Sequence, residues 1–347
     1  MVDGRALYTA RRRVWGVARA PTNMMIMSTR IRPLGGHGVV TRTDLLASGM
    51  KRATLAAFIE KGDVVRLDRS RFALPGTDQA VAKAVSEGGT LTCMSALKLA
   101  GASILDDNLV HLRRPSCRRR GRDWAEDVTE CSLPPRTRKL ALNATTPALD
   151  AVTKRPGPGL EWPDHPLDGI DAALCIACTN HSDEELAVVL DSILHTRLRT
   201  HADLHALLDG HSRRTARLVA LADAGSESVL ESVVRHRLAS RGIAVQTQVR
   251  IPGLGRVDML LGKSLLLETD GFEFHADRES FREDRRRDRV ALTLGYSVIR
   301  LTWEQVFSGW SKVMADISAI VSTRRHLRPP RKAVLDEMAT FPLPRAC

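Results

Sequence analysis

Leu265–His275 reads LLLETDGFEFH, an apolar run that ends in two carboxylates one residue apart, then a glycine and a histidine. A β-strand turns residues i and i+2 to one face, so Glu268 and Asp270 share a face if this run is a strand. The stretch just upstream, RVDMLL (256–261), is a second apolar strand candidate, joined to it by the short Gly262-Lys263 turn. Asp258 lies inside that strand, where an unpaired carboxylate is costly. If the two strands pair through the turn, Asp258 lies beside Glu268. Three carboxylates converging at a sheet edge repel one another unless a divalent cation sits among them. Hard oxygen donors with open water positions suit Mg²⁺ or Mn²⁺.

Working outward, GSESVLESVVRHRLASRG (225–242) predicts an amphipathic helix with Ser226 or Ser228 as its cap and Gly242 as its stop. It carries Glu227 and Glu231. AVQTQVRI alternates like a strand. After the loop GFEFHADRES comes a strongly charged helix, FREDRRRDRVALTLG, and then YSVIRLTW, a further strand. The expected order is αβββαβ, a mixed sheet flanked by helices. Arg285, Arg286 and Arg287 charge the last helix all round and are candidate phosphate contacts, while Asp284 and Asp288 share a face at i and i+4.

Taken together, RVD, LLLETDG, FH, DRRRD and LGYSVIRLTW resemble the Vsr-like endonuclease branch of the PD-(D/E)XK superfamily over residues 225–321. The resemblance implies a restriction-endonuclease-like fold that hydrolyses DNA phosphodiester bonds with Mg²⁺ or Mn²⁺. It places the metal aspartate on Asp258, the carboxylate-bearing strand on Glu268 and Asp270, and the helix-borne glutamate on Glu231, with Glu227 second. The family lysine position is occupied here by Asp270. Vsr-like members use a histidine instead, which puts proton transfer on His275, whose ordinary pKa near 6.5 suits that work.

A second pattern lies near the start. GVVTRTDLLASGMKRATLAAFIEKGDVVRLDRSRFALPG (38–76) predicts a short helix capped by Thr41 or Thr43, a stop at Gly49, a second helix from Lys51 to Glu60, and two short strands, VVRL and RFAL, around Asp68-Arg69-Ser70-Arg71. Helix, turn, helix, hairpin is the order of a winged helix. Its second helix would present Lys51, Arg52 and Thr54 to a major groove, and its tip would lay Arg69 and Arg71 along phosphates. With the following GGTLTCMSALKLAGASIL, residues 34–114 resemble the N-terminal region of the AbiEi-type antitoxin family, which implies a DNA-binding regulator and a toxin partner.

Composition bounds these readings. The chain has 347 residues, enough for several domains, and 52 basic against 40 acidic side chains give a formal charge of +12. Such an excess points to a polyanion partner. Aromatic residues are only 4%, too few for a single-strand stacking platform, so duplex DNA is the expected partner. Arg113–Arg122, with six arginines, is a further candidate contact. No run of about 18 apolar residues is present, so no membrane span is expected. Six scattered cysteines, of which only Cys175 and Cys178 form a CxxC, give neither a disulfide framework nor paired zinc motifs, and a reducing cytoplasm is expected. The expected fold class is α/β multidomain. Its parts are a basic arm (1–33) expected to stay unfolded, or an over-extended start; a winged helix (34–77); a mixed α/β middle region (78–180), with ALCIAC read as a strand; a helical connector (181–224); a Vsr-like domain (225–325); and a tail (326–347). The leading functional reading is a metal-dependent DNA endonuclease targeted by the winged helix. The alternative is a non-catalytic, antitoxin-type DNA-binding regulator.

Overall fold

The computed structural model describes residues 37–114, 124–132, 166–270 and 278–330, with the side chains of 278–281 left out. The arm at 1–33, His275 and the tail beyond 330 lie outside the described residues. The described residues are mixed α/β and form three small sheets. It divides into two units, one of residues 1–100 and 107–180, the other of residues 101–106 and 181–347.

In the first unit, strand β1 (Val39–Thr41) leads into helix α1 (Arg42–Ala47). Thr41 is the cap: its hydroxyl accepts from the Asp44 N–H at 3.1 Å, and the Asp44 carboxylate accepts from the Thr41 N–H at 2.9 Å. This reciprocal box satisfies two amides that the helix itself leaves bare. Gly49, at φ +90°, lets the chain leave the helix in the left-handed region that side chains resist. Helix α2 (Arg52–Glu60) follows, then β2 (Val65–Arg66) and β3 (Arg71–Ala73), in the sheet order β1-β3-β2. Strand β1 was not anticipated. Three residues are too few for alternation to register, and its pairing with β3 (Val40 opposite Phe72) is a long-range contact. Val40, Leu45, Met50, Leu55, Val64 and Phe72 close a small core under these elements.

Helix α3 (Gln79–Glu87) is capped by Asp78 and ended by Gly88 at φ +82°. Beyond it β4 (Thr90–Leu91), helix α4 (Cys93–Leu99), β5 (Val110–Arg113) and β6 (Val128–Glu130) form a second sheet of order β4-β5-β6, antiparallel then parallel. The stretch ALCIAC lies within helix α5 (Ile170–Asn180) and is not a strand. A short apolar run buried on all sides reads the same in either structure. Its two alanines and its leucine are good helix formers, in keeping with the helix.

In the second unit, helices α6 (Asp183–His195), α7 (His201–Leu208) and α8 (Arg213–Leu221) precede helix α9 (Val229–Ala239), whose cap is Ser228. Then come β7 (Val245–Ile251), β8 (Gly255–Leu261), β9 (Leu265–Asp270), helix α10 (Arg278–Leu294) and β10 (Ser297–Thr302), followed by α11 (Trp303–Phe307) and α12 (Trp310–Ser322). The sheet order is β10-β9-β8-β7, with β10 parallel to β9 and the other pairs antiparallel. One core, including Val233, Val234, Leu265, Leu267 and Ile317, combines residues of α9, β9 and α12. The other, with Val257, Leu266, Ala291 and Leu294, combines residues of β8, β9 and α10. Alternation along β9 divides its side chains between them.

Candidate functional site

The carboxylate-bearing end of the second unit's sheet is built by a break in the ladder. Strands β8 and β9 pair from Leu261–Leu265 down to Met259–Leu267, and the pairing stops one step before Asp258 and Glu268. There the Asp258 carboxylate replaces the backbone acceptor: it takes the Thr269 N–H at 2.8 Å and the Thr269 hydroxyl at 3.1 Å. On the other side of β8, Gln248 adopts φ +52° opposite the same point. The polar end of the strands is therefore held by side chains as well as by the backbone ladder.

Glu268 is clasped by two arginines. Arg287 of α10 donates to one carboxylate oxygen at 2.8 Å and Arg300 of β10 to the other at 3.2 Å. Arg300 stands directly opposite Glu268 in the parallel ladder and also reaches Asp288 at 2.7 Å. Charge-assisted bonds of this kind are roughly twice as strong as neutral ones. Glu231 of α9 is buried. It accepts from the Glu227 N–H at 3.0 Å and from the Gln248 amide at 2.9 Å. Burial pushes its carboxyl above the ordinary glutamate value and Asp258 adds to the rise, against the opposing hydrogen bonds. Asp270 is also raised, by burial first, with Asp284 and Asp258 acting the same way and Arg300 opposing. Asp258 thus lies within electrostatic reach of both Glu231 and Asp270.

Mg²⁺ is usually held by one or two carboxylates together with several waters. Among the described residues no three of these carboxylates bring ligand oxygens within 4.8 Å of one another. The oxygens of Glu268 face guanidinium groups, and one oxygen each of Asp258 and Glu231 faces N–H donors. These carboxylates are thus engaged by guanidinium and N–H groups of the chain itself. Arg300 was missed by sequence reasoning. Its signal was the parallel register that only the assembled sheet reveals.

The basic residues divide sharply. Lys51, at the start of α2, and Arg52 and Thr54 within it are exposed, as is Arg69 at the hairpin tip. Among the described residues no carboxylate pairs with Lys51, Arg52 or Arg69. Arg71 differs from expectation: it is 8% exposed, and its guanidinium bonds Asp68 at 2.7 Å. Asp68 is the hub of the tip, accepting also from the Ser70 and Arg71 N–H groups at 2.7 Å each. Burial works against its charged form, but those two amides and the Arg71 guanidinium prevail and hold its carboxyl down at about 2. Arg71 therefore shapes the tip, where its guanidinium is bound to Asp68.

The arginine run likewise begins as structure. Arg113 is fully buried in a bidentate pair with Asp168, both bonds 2.7 Å. Arg114 bonds Glu130 and stacks 4.7 Å over the Trp124 ring. The remaining four arginines lie outside the described residues. On α10, Arg285 is exposed and 3.6 Å from Asp288, and Arg286 pairs with Glu283 at 2.6 Å. Arg287, occupied by Glu268 and the Arg256 carbonyl, faces inward.

Among the described residues no helix is long and apolar enough to cross a membrane. No family model matches the chain, and no curated protein matches it. Among solved structures, protein RV2827C from Mycobacterium tuberculosis is similar at 22% identity and a TM-score of 0.30, over 68% of this chain and 86% of that one.

Proposed function

We propose that this chain binds duplex DNA through its N-terminal helix–turn–helix and hairpin, used as a winged helix, and acts as a non-cleaving DNA-binding regulator of the antitoxin type. One observation carries the reading: Lys51, Arg52 and Arg69 form an exposed set of cations without carboxylate partners among the described residues, on the second helix and the wing tip of one small core. Cations left unpaired at a surface are available to phosphates, and their neutralisation releases counterions. Clasping of Glu268 by Arg287 and Arg300 favours the regulator over the enzyme, because the carboxylate that a cation would need is already neutralised. A protein toxin is the partner this reading implies, and a cytoplasmic location suits it.

A second reading, a Mg²⁺- or Mn²⁺-dependent endonuclease with a restriction-endonuclease-like C-terminal domain, is favoured by a different observation. Burial first, and Asp258 with it, raises the carboxyls of both Glu231 and Asp270, and a cation would relieve the repulsive part. For that reading Glu268 must first leave its two arginines.

The deciding experiment pairs a mobility shift on duplex DNA with plasmid nicking in Mn²⁺. Regulator behaviour predicts binding that Lys51→Glu with Arg52→Glu weakens more than tenfold, together with uncut plasmid. Nicking abolished by Asp258→Ala with Glu268→Ala would replace that reading with the endonuclease. Absence of any shift at low salt would remove both.

A further inference from the structure

A cluster of soft ligands lies within the first unit. Cys93 opens α4, His111 sits in β5 and Cys131 follows the last residue of β6. All three are buried, at 0%, 2% and 5% exposure. One ligand atom from each lies within 4.8 Å of the other two. The Cys131 Sγ is 3.5 Å from His111 Nδ1. Cys131 is fixed to the sheet by its own N–H, which donates to the Leu112 carbonyl at 2.8 Å.

Three features go beyond ordinary buried thiols. Tetrahedral zinc, with Zn–S near 2.3 Å and Zn–N near 2.05 Å, separates sulfur from nitrogen by about 3.6 Å along a tetrahedron edge. The observed 3.5 Å matches that edge. Next, the far nitrogen of His111 is held by a carboxylate: Nε2 lies 3.0 Å from Asp107 Oδ2. A carboxylate on that nitrogen fixes the tautomer with Nδ1 as the bare donor and aims it at the two sulfurs. Finally, Cys93 has φ +54°, left-handed backbone that a non-glycine residue adopts at a cost. The strain turns its side chain into the cluster.

We propose that Cys93, His111 and Cys131 bind a structural zinc ion that fastens α4 to the β4-β5-β6 sheet. Binding releases the two thiol protons to solvent, so one Zn²⁺ and two thiolates leave no net charge in the core. The ligand set is soft and selects zinc over magnesium or calcium.

Metal analysis of the full chain, purified without chelator, tests this. About one zinc per chain is expected, with loss of the metal in Cys131→Ser and His111→Ala. Asp107→Asn, which alters no ligand, is expected to weaken zinc binding by about 10- to 100-fold. A variant that fails to fold is covered by a measurement on the unaltered chain: metal-stripped protein titrated with Co²⁺ should develop a thiolate-to-cobalt charge-transfer band that one equivalent of Zn²⁺ abolishes. A folded, stripped chain that gives no such band overturns the proposal. So does a Cys93–Cys131 disulfide found by mass spectrometry in protein from a reducing cytoplasm.

Discussion

The two units handle positive charge in opposite ways. In the first, Arg113 and Arg71 are turned inward onto Asp168 and Asp68, while Lys51, Arg52 and Arg69 are left at the surface. In the second, the arginines nearest the conspicuous carboxylates are spent on them: Arg287 and Arg300 on Glu268, and Arg300 again on Asp288. A net charge of +12 therefore says little about where a polyanion can sit. Position decides, since a guanidinium that completes a local ion pair has little left for a phosphate.

Substitutions that unpair each kind of arginine sharpen this contrast. The largest effect is expected from Asp168→Ala, which strands the fully buried Arg113 guanidinium. Breaking such a pair from one side costs about 3–5 kcal/mol, read as a lower urea midpoint of the transition that Trp124 fluorescence reports. An effect near zero would mean that Arg113 finds another partner and that the pair is not structural. Arg300→Ala comes next. It removes a half-buried partner of Glu268 and Asp288, and about 1–3 kcal/mol is expected. The Asp270 carboxyl should rise further, because Arg300 is the group that opposes its rise; carboxyl resonances followed by NMR check that shift.

Glu231→Gln gives a smaller effect with a defined sign. The folded-state value of Glu231 lies above the ordinary 4.5, so between those two values the folded chain holds more protons than the unfolded one. Stability therefore falls as pH rises through that window and stays lower above it. Glutamine removes the penalty. The stability of the variant relative to the parent should climb from pH 4 to pH 8, by up to about 1 kcal/mol, in paired urea titrations. A difference independent of pH would place the cause elsewhere. The smallest change is at the wing. Asp68 sits at about 2 when folded, against an ordinary 3.8, so its contribution is complete above pH 4 and is lost as pH falls toward 2. Asp68→Asn should cost about 1 kcal/mol at neutral pH, a cost that shrinks in acid, as amide exchange in the hairpin would report.

Much of the scaffold could be read from residues. Thr41 followed by Asp44, and Ser228 before an apolar stripe, announce helix starts because the hydroxyl has a defined donor to satisfy. The three strands β7, β8 and β9 follow from alternation and from the Gly262 turn. The failures share one cause, dependence on distant partners. ALCIAC has no hydrophobic period separating a buried strand from a buried helix. Arg300 meets Glu268 only because β10 returns parallel to β9. Cys93, His111 and Cys131 stand 18 and 20 residues apart, a spacing that matches no compact zinc motif. Their meeting depends on how α4 and the second sheet are arranged. The CxxC that did attract notice, Cys175 and Cys178, lies in the buried helix α5. The acidic pattern at Asp258, Glu268 and Asp270 was legible as a set of residues. The guanidinium groups beside it were not.

The central claim, that duplex DNA is bound by the exposed cations of the first unit, is tested most directly by the salt dependence of binding. Fluorescence anisotropy of a labelled duplex, titrated with the full chain over a range of salt concentrations, gives the slope of log K against log salt. Each phosphate contact contributes about −0.9 to that slope on duplex DNA. Replacing Lys51, Arg52 and Arg69 together by alanine should make the slope shallower by about 2.7 and weaken binding at every salt concentration. An unchanged slope and affinity in the triple variant would contradict the account.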